Sequence, residues 1–278
     1  MRPGARGMTA TLLWQDDFPL LRLEGPGARD FLQGQTSADL KEIPDGVLVQ
    51  SCWLSATGRL RGLLEIRMDP TGADVLVLAG EADAITNGFD QVIFPADRVR
   101  VSAGRRQQRL QTLPDADTVA WLLPGQGLPK DCSDLPLADA DALEQWRLLQ
   151  GWPSSQELTG DTNPFELGLA RRISLSKGCY LGQETMAKLA SSGGVKQQLR
   201  CWSSTAAISA EAKLGCNGDR AGVVTSSLEV TPGQRWIGLA LVRRQWLQEG
   251  ELEGPEGQCL ILQRPGGFQD PPVSAGSS

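Results

Sequence analysis

The sequence predicts an α+β protein with an antiparallel sheet, followed by a smaller all-β unit of barrel or sandwich type. Three observations carry this reading. Period-two alternation marks the strand Leu60 to Asp69, and the turn Asp69 to Gly72 joins it to a return strand Val75 to Leu78. The segments follow one another as strand, helix, strand, strand, helix, strand, which suits antiparallel pairing with helices set to one side. Past Ser191-Ser192-Gly193-Gly194 the pattern turns to short strands and Gly-, Pro- and Asn-containing turns alone. A chain of 278 residues is long enough for two such domains or for one multi-lobed unit.

After an irregular leader, with Met8 as an alternative start to Met1, Thr11 to Trp14 and Leu20 to Leu23 read as short strands. Pro26 suits the first turn of a short helix through Phe31 and Leu32, and Gly34 suits its end. Ser55 to Arg59 is a turn. In the strand that follows, Leu64, Ile66 and Met68 fall on one face and Glu65, Arg67 and Asp69 on the other, implying a sheet with one face in the core. Gly80 to Phe94 reads as a helix interrupted at Asn87-Gly88; Arg98 to Val101 and Thr118 to Leu123 read as strands. Pro, Gly and Asp make residues 123–141 a loop region. Asp141 can cap a helix that Gly151 ends, with Leu143, Trp146 and Leu149 near one face. A flexible break at 191–194 divides residues 1–190 from 195–264. There Leu199 to Ser203, Gly222 to Ser226, Arg235 to Val242 and Gln258 to Gln263 are the strands, and 265–278 reads as a disordered tail.

Composition removes whole classes of chemistry. There is no histidine, so His triads, His general bases and His metal sites are excluded together. A net charge of −6 supplies no global field toward nucleic acid or anionic lipid. The arginines at 98, 100, 105, 106 and 109 cluster in sequence, and the favoured reading is a solvated strand face and loop. Cys52, Cys132, Cys179, Cys201, Cys216 and Cys259 are scattered without a C-x-x-C pair, so no zinc ribbon or four-cysteine cluster motif is written here. They read as free thiols of a cytoplasmic protein. No window reaches the apolar length of a membrane span, and the N-terminus lacks a secretory h-region.

The stretch that most needs a chemical explanation is Lys177-Gly178-Cys179-Tyr180-Leu181-Gly182-Gln183-Glu184, which holds the only tyrosine and leads into a helix. A nearby cation and a helix start both favour thiolate over thiol at Cys179. The residues alone equally admit a small buried hydrophobe with turn glycines. This octapeptide resembles the signature of the YgfZ family, folate-binding relatives of the glycine-cleavage T-protein (GcvT) that support iron–sulfur proteins. Two further regions carry the resemblance in the same order. One is the N-terminal helix with Phe31-Leu32, then Gln33-Gly34-Gln35-Thr36 and Asp39, followed later by Gly58-Arg59. The other is the pair 222–226 and 237–242, similar to motifs of the GcvT C-terminal barrel.

The resemblance implies a GcvT-like three-lobed fold with antiparallel sheets: two interleaved lobes in 1–190 and a small β-barrel in 195–264, around a central channel. Tetrahydrofolate is the implied cofactor, its pterin buried and its glutamate tail near the mouth, with no resident metal. Cys179 would be the functional thiol, forming a transient mixed disulfide or ligating a cluster in passing. Lys177 would pair with the tail or with Cys179, and Tyr180 would stack on the ring or donate its hydroxyl. Gln183, Gln35, Thr36 and Arg59 are further polar contacts, while Glu166 reads as a surface carboxylate. The implied function is a folate-dependent accessory protein for maturation or repair of iron–sulfur enzymes, including those of tRNA thio-modification. Its partners would be those client or assembly proteins, without direct nucleic acid or membrane contact, the protein itself being a monomer. The alternative is a folate-dependent aminomethyltransferase of the GcvT type. Against it, Leu149 stands where that enzyme has a pterin-gripping glutamate, and Cys179 where it has an aspartate; leucine cannot accept a hydrogen bond.

Overall fold

The computed structural model describes residues 11–123, 125–192 and 194–272. The expectations for the leader and for the last residues of the tail lie outside them. Six strands form the first sheet: β1 (Leu12–Glu24), β2 (Leu48–Leu54), β3 (Leu60–Asp69), β4 (Gly72–Gly80), β5 (Arg100–Leu113) and β6 (Val119–Leu122). They stand in the order β2-β3-β4-β1-β5-β6, every pair antiparallel. The two short runs predicted at the N-terminus are one strand. Asp16, Asp17 and Pro19, which interrupt the apolar pattern, are held in register opposite Arg109, Gln108 and Arg106 of the long β5.

Helices α1 (Ala28–Gln35) and α2 (Ala82–Asp90) cover one face of this sheet. Phe31, Leu32, Ile85 and Phe89 pack there against Leu64, Ile66, Val75 and Val77. The break predicted at Asn87-Gly88 does not occur. Tertiary packing overrides propensity: a Cβ at Gly88 would lie 2.5 Å from the Trp53 ring, so the glycine makes room for an indole. The other face, expected to be polar and wet, is also covered. Leu20, Leu63, Leu76 and Leu78 join Leu199, Leu239 and Leu241 of the second unit in the largest hydrophobic cluster.

That second unit is a closed barrel of β7 (Gln197–Ser204), β8 (Lys213–Cys216), β9 (Asp219–Thr231), β10 (Arg235–Arg243), β11 (Glu251–Glu253) and β12 (Cys259–Gln263), in the order β10-β7-β12-β11-β8-β9. Trp202, Leu214, Val224, Val242 and Leu260 fill its interior. Strands β8 and β11, at four and three residues, are too short to show alternation, and the sequence reading lacks them.

Between sheet and barrel lie α3 (Ala140–Gln150) and α4 (Gln183–Ser191). Asp139, not Asp141, caps α3, its Oδ1 accepting from the Ala142 amide at 2.8 Å. Residues 265–272 do not form the disordered start of a tail. Phe268 is buried, its ring under the guanidinium groups of Arg200 and Arg264 at 5.3 and 5.1 Å. Gln269 bridges to Leu169 and accepts the Arg171 amide at 2.9 Å.

Candidate functional site

The signature stretch forms the loop that precedes α4, and it is anchored on the C-terminal end of α1. Lys177 makes the anchor. Its Nζ donates to the carbonyls of Gln33 at 2.7 Å, Thr36 at 2.6 Å and Ala38 at 2.6 Å. Carbonyls at a helix end have no intrahelical partner and carry the negative pole of the helix, so an ammonium is their natural complement. Lys177 is only 6% exposed and lies 4.9 Å from the Tyr180 ring centroid. Burial pulls its pKa down to about 8, and the charge of Asp39 opposes that pull. All three N–H groups are committed, which corrects the expectation that Lys177 pairs with a ligand tail or with Cys179.

The remaining contacts close the loop on itself. The Leu181 amide donates to Gly34 O at 3.1 Å, and Gln183 Nε2 donates to Lys177 O at 3.2 Å. Thr36 is fully buried and its hydroxyl donates to Leu32 O at the helix end. Gln35 is half-buried. Gly182 sits before α4 with φ of +83°, and a Cβ there would lie 2.7 Å from Ser55 O. Tyr180 belongs to the largest hydrophobic cluster, and its hydroxyl is buried without a hydrogen-bond partner among the described residues. Burial pushes that phenol up to about 12. Cys179 faces outward, as Cys259 does in the barrel. By contrast, burial raises the Cys52 and Cys201 thiols to about 12. Arg59 stands apart from this group; its guanidinium donates to Asp161 O. Glu166, expected at the surface, is buried, and burial raises its pKa against the amide of Asn163 that it accepts.

A second assembly, not singled out from the sequence, occupies the inner face of the sheet. Glu65 and Arg109 are each 1% exposed and are joined by Arg109 Nε to Oε1 at 2.9 Å and Nη2 to Oε2 at 3.1 Å. The Glu65 carboxylate also accepts Trp121 Nε1 at 2.7 Å and Gln50 Nε2 at 3.2 Å. Trp121 stands on the edge strand β6 and Gln50 on the opposite edge strand β2, so the sheet curls until its two edges meet over one carboxylate. Arg109 lies over Trp14 at 5.5 Å; Trp14 packs edge-on to Trp152 at 6.3 Å; Arg172 covers Trp152 at 5.4 Å and donates from Nε to Gln50 at 2.8 Å. These contacts form a closed circuit: Glu65, Arg109, Trp14, Trp152, Arg172, Gln50 and back to Glu65. Beside it opens a chamber of about 680 Å³ lined by Leu48, Gln50, Glu65, Arg67, Trp121 and Gln126, among others, a size that suits one small-molecule ligand. Arg109 therefore departs from the solvated arginine cluster predicted for this region, while Arg98, Arg100, Arg105 and Arg106 are exposed. The available signal was Glu65 among apolar neighbours and the eight tryptophans.

No family model matches the chain. It is 28% identical to the tRNA-modifying protein YgfZ of Klebsiella pneumoniae over 81% of its length and 83% of that protein's. It is 26% identical to the tRNA-modifying protein YgfZ of Serratia proteamaculans over 83% and 84%. A chloroplastic transferase-like protein of Arabidopsis thaliana is 23% identical over 94% of this chain and 72% of its own. The chain is similar to the YgfZ proteins along most of its length. In three dimensions it matches the glycine cleavage system aminomethyltransferase T from Bartonella henselae with a TM-score of 0.68 at 20% identity, covering 95% of this chain and 88% of that one. The fold is thus GcvT-like, as expected.

Leu149, on α3, is half-buried; its carbonyl accepts the Gly266 amide at 2.9 Å and gives the side chain no polar reach. A second cavity of about 690 Å³ lies between residues 156–162 and the barrel, lined by Gln156, Asp161, Gln197, Thr225 and Leu241 among others. Arg59 borders it through Asp161. Among the described residues, no group of three or more His, Cys, Asp or Glu side chains converges as a metal site, and no helix is long and apolar enough to cross a membrane.

Proposed function

We propose that this protein binds tetrahydrofolate on the inner face of its first sheet and supports the maturation or repair of iron–sulfur enzymes, those of tRNA thio-modification among them, with Cys179 as its working thiol. The observation that carries this reading is the 680 Å³ chamber beside the closed aromatic and polar circuit, which it meets at Glu65 and Gln50. A flat heteroaromatic ligand needs ring faces to lie against and fixed donors and acceptors at its edge; Trp121, Gln50 and Gln126 line the chamber with both. Tetrahydrofolate, when bound, supplies a one-carbon acceptor. The chain's own residues bind and orient: Arg109 and Trp121 fix the Glu65 carboxylate, Arg172 fixes Gln50, and Lys177 fixes the loop that presents Cys179 to a partner protein in the cytoplasm. Leu149 speaks against the aminomethyltransferase alternative, because no acid stands at that position to grip a pterin.

Anaerobic titration of the reduced protein with tetrahydrofolate, followed by tryptophan fluorescence, tests this. Saturable binding is expected for the wild type and, unchanged, for Cys179→Ser. In cells lacking the wild-type protein, Cys179→Ser is expected to leave iron–sulfur enzyme activities low. Absence of saturable binding by the folded wild type would sink the folate reading, and full cellular rescue by Cys179→Ser would sink the role of the thiol.

A further inference from the structure

Several charges on the inner face of the sheet are paired, and among the described residues Arg67 is not one of them. Arg109 answers Glu65, and Arg22 holds Asp69 and reaches Asp74 at 3.5 Å, with Arg105 at 3.9 Å from the same Asp74 carboxylate. Arg67 lies between these two sets. It stands two residues from Glu65 on β3, in register with Leu48 on one side and Asp74 on the other. Asp74 directs its ion pairs to Arg22 and Arg105 and forms none with Arg67. The Arg67 guanidinium makes no hydrogen bond or ion pair among the described residues, yet it is half-buried and lines the 680 Å³ chamber with Gln50, Trp121 and Gln126. A second cation, Arg172, adjoins the chamber through Gln50 and is held by an amide and an indole face, not by a carboxylate. The chamber therefore carries excess positive charge in a chain whose net charge is −6.

A half-buried guanidinium without a protein partner is an open half of a bidentate pair, and its geometry matches a carboxylate. We propose that Arg67 is the carboxylate anchor of this chamber. The ligand's acidic end is held at the Arg67 side, near the exposed Gly46, and its ring system lies inward along Trp121 toward the fully buried Glu65. The inference rests on the folate reading for the ligand's identity and adds what selects it: the glutamyl carboxylates, through a residue that touches them. Lengthening the γ-glutamyl tail adds carboxylates on the solvent side and leaves the ring contacts unchanged.

The test compares wild type, Arg67→Ala and Arg67→Lys by fluorescence titration with three probes: tetrahydrofolate, the tail-less 6-methyltetrahydropterin, and p-aminobenzoyl-glutamate. Arg67→Ala is expected to weaken tetrahydrofolate and p-aminobenzoyl-glutamate about tenfold or more, the range of a charged hydrogen bond, and to leave the tail-less pterin unchanged. Arg67→Lys recovers part of the loss, as a point charge in place of a fork. Equal weakening of all three probes, or no weakening of any, overturns the anchor. If the wild type binds neither pterin nor tetrahydrofolate but binds p-aminobenzoyl-glutamate in an Arg67-dependent way, the folate reading fails and the anchor stands. If the wild type binds none of the three, both fail.

Discussion

Lys177 and Cys179 are two residues apart and face opposite environments. The ammonium is driven inward to three carbonyls at the end of α1, while the thiol is left on the outside. Removing the ammonium leaves three buried acceptors with no donor, and each buried unsatisfied polar group costs about 1–3 kcal/mol. Lys177→Met is therefore expected to destabilise the fold by roughly 3 kcal/mol or more. Lys177→Arg should not restore it, since a planar fork cannot serve three converging carbonyls. Cys179→Ser, at an exposed position, should stay within about 0.5 kcal/mol of wild type. Urea unfolding of the three variants checks this, and a Lys177→Met protein as stable as wild type would refute the clamp. The sequence located this loop from the rarity of its residues, but it could not say where the ammonium points. Spacing put lysine near cysteine; the direction was set by the unpaired carbonyls of a helix more than a hundred positions earlier in the chain.

At the scale of elements, the turn at 55–59 and the start of α4 interlock through two glycines. Gly58 has φ of +73° and a Cβ there would lie 2.7 Å from Thr185 Cβ. From the other side, a Cβ on Gly182 would lie 3.2 Å from Gly58 Cα and 2.7 Å from Ser55 O. Positive φ disfavours any β-carbon, and backbone on the facing side cannot yield as a flexible side chain would. Gly182→Ala is expected to cost about 2 kcal/mol or more and to loosen the loop bearing Cys179. Faster alkylation of Cys179 together with a lowered urea midpoint is the expected outcome; unchanged values of both would show that the interlock does not matter. Elements whose identity is local were legible. The bounds of β3 were read in full because alternation from Leu64 to Asp69 lies between the turns at 55–59 and 69–72. The continuity of β1 was not legible, because its polar centre is made strand by β5, and neither was the Glu65–Arg109 circuit, because curl brings together strands that are distant in the order.

For the whole molecule, sheet and barrel share one core: Leu20, Cys52 and Leu60 of the sheet lie in the same cluster as Leu199, Cys201 and Leu239 of the barrel. Residues 265–272 fasten the two together. Phe268 occupies the space over Gly168, where a Cβ would lie 2.4 Å from its ring, and Arg264 donates to Phe268 O at 2.8 Å, returning the end of the barrel to the segment before the signature loop. A shared core of this kind couples the two units, so unfolding should appear as one transition whether followed by far-ultraviolet dichroism or by tryptophan fluorescence. Truncating a buried phenylalanine costs about 3–5 kcal/mol. Phe268→Ala is therefore expected to shift that single transition to markedly lower denaturant, and the loss should reach the first sheet although the residue follows the barrel. Two separate transitions in the wild type, or a Phe268→Ala variant in which only the barrel signal moves, would mean that sheet and barrel are independent. Such independence would matter for function as well, because the 680 Å³ chamber lies on the sheet face whose hydrophobic part the barrel helps to bury. A barrel free to leave that face would open it to water.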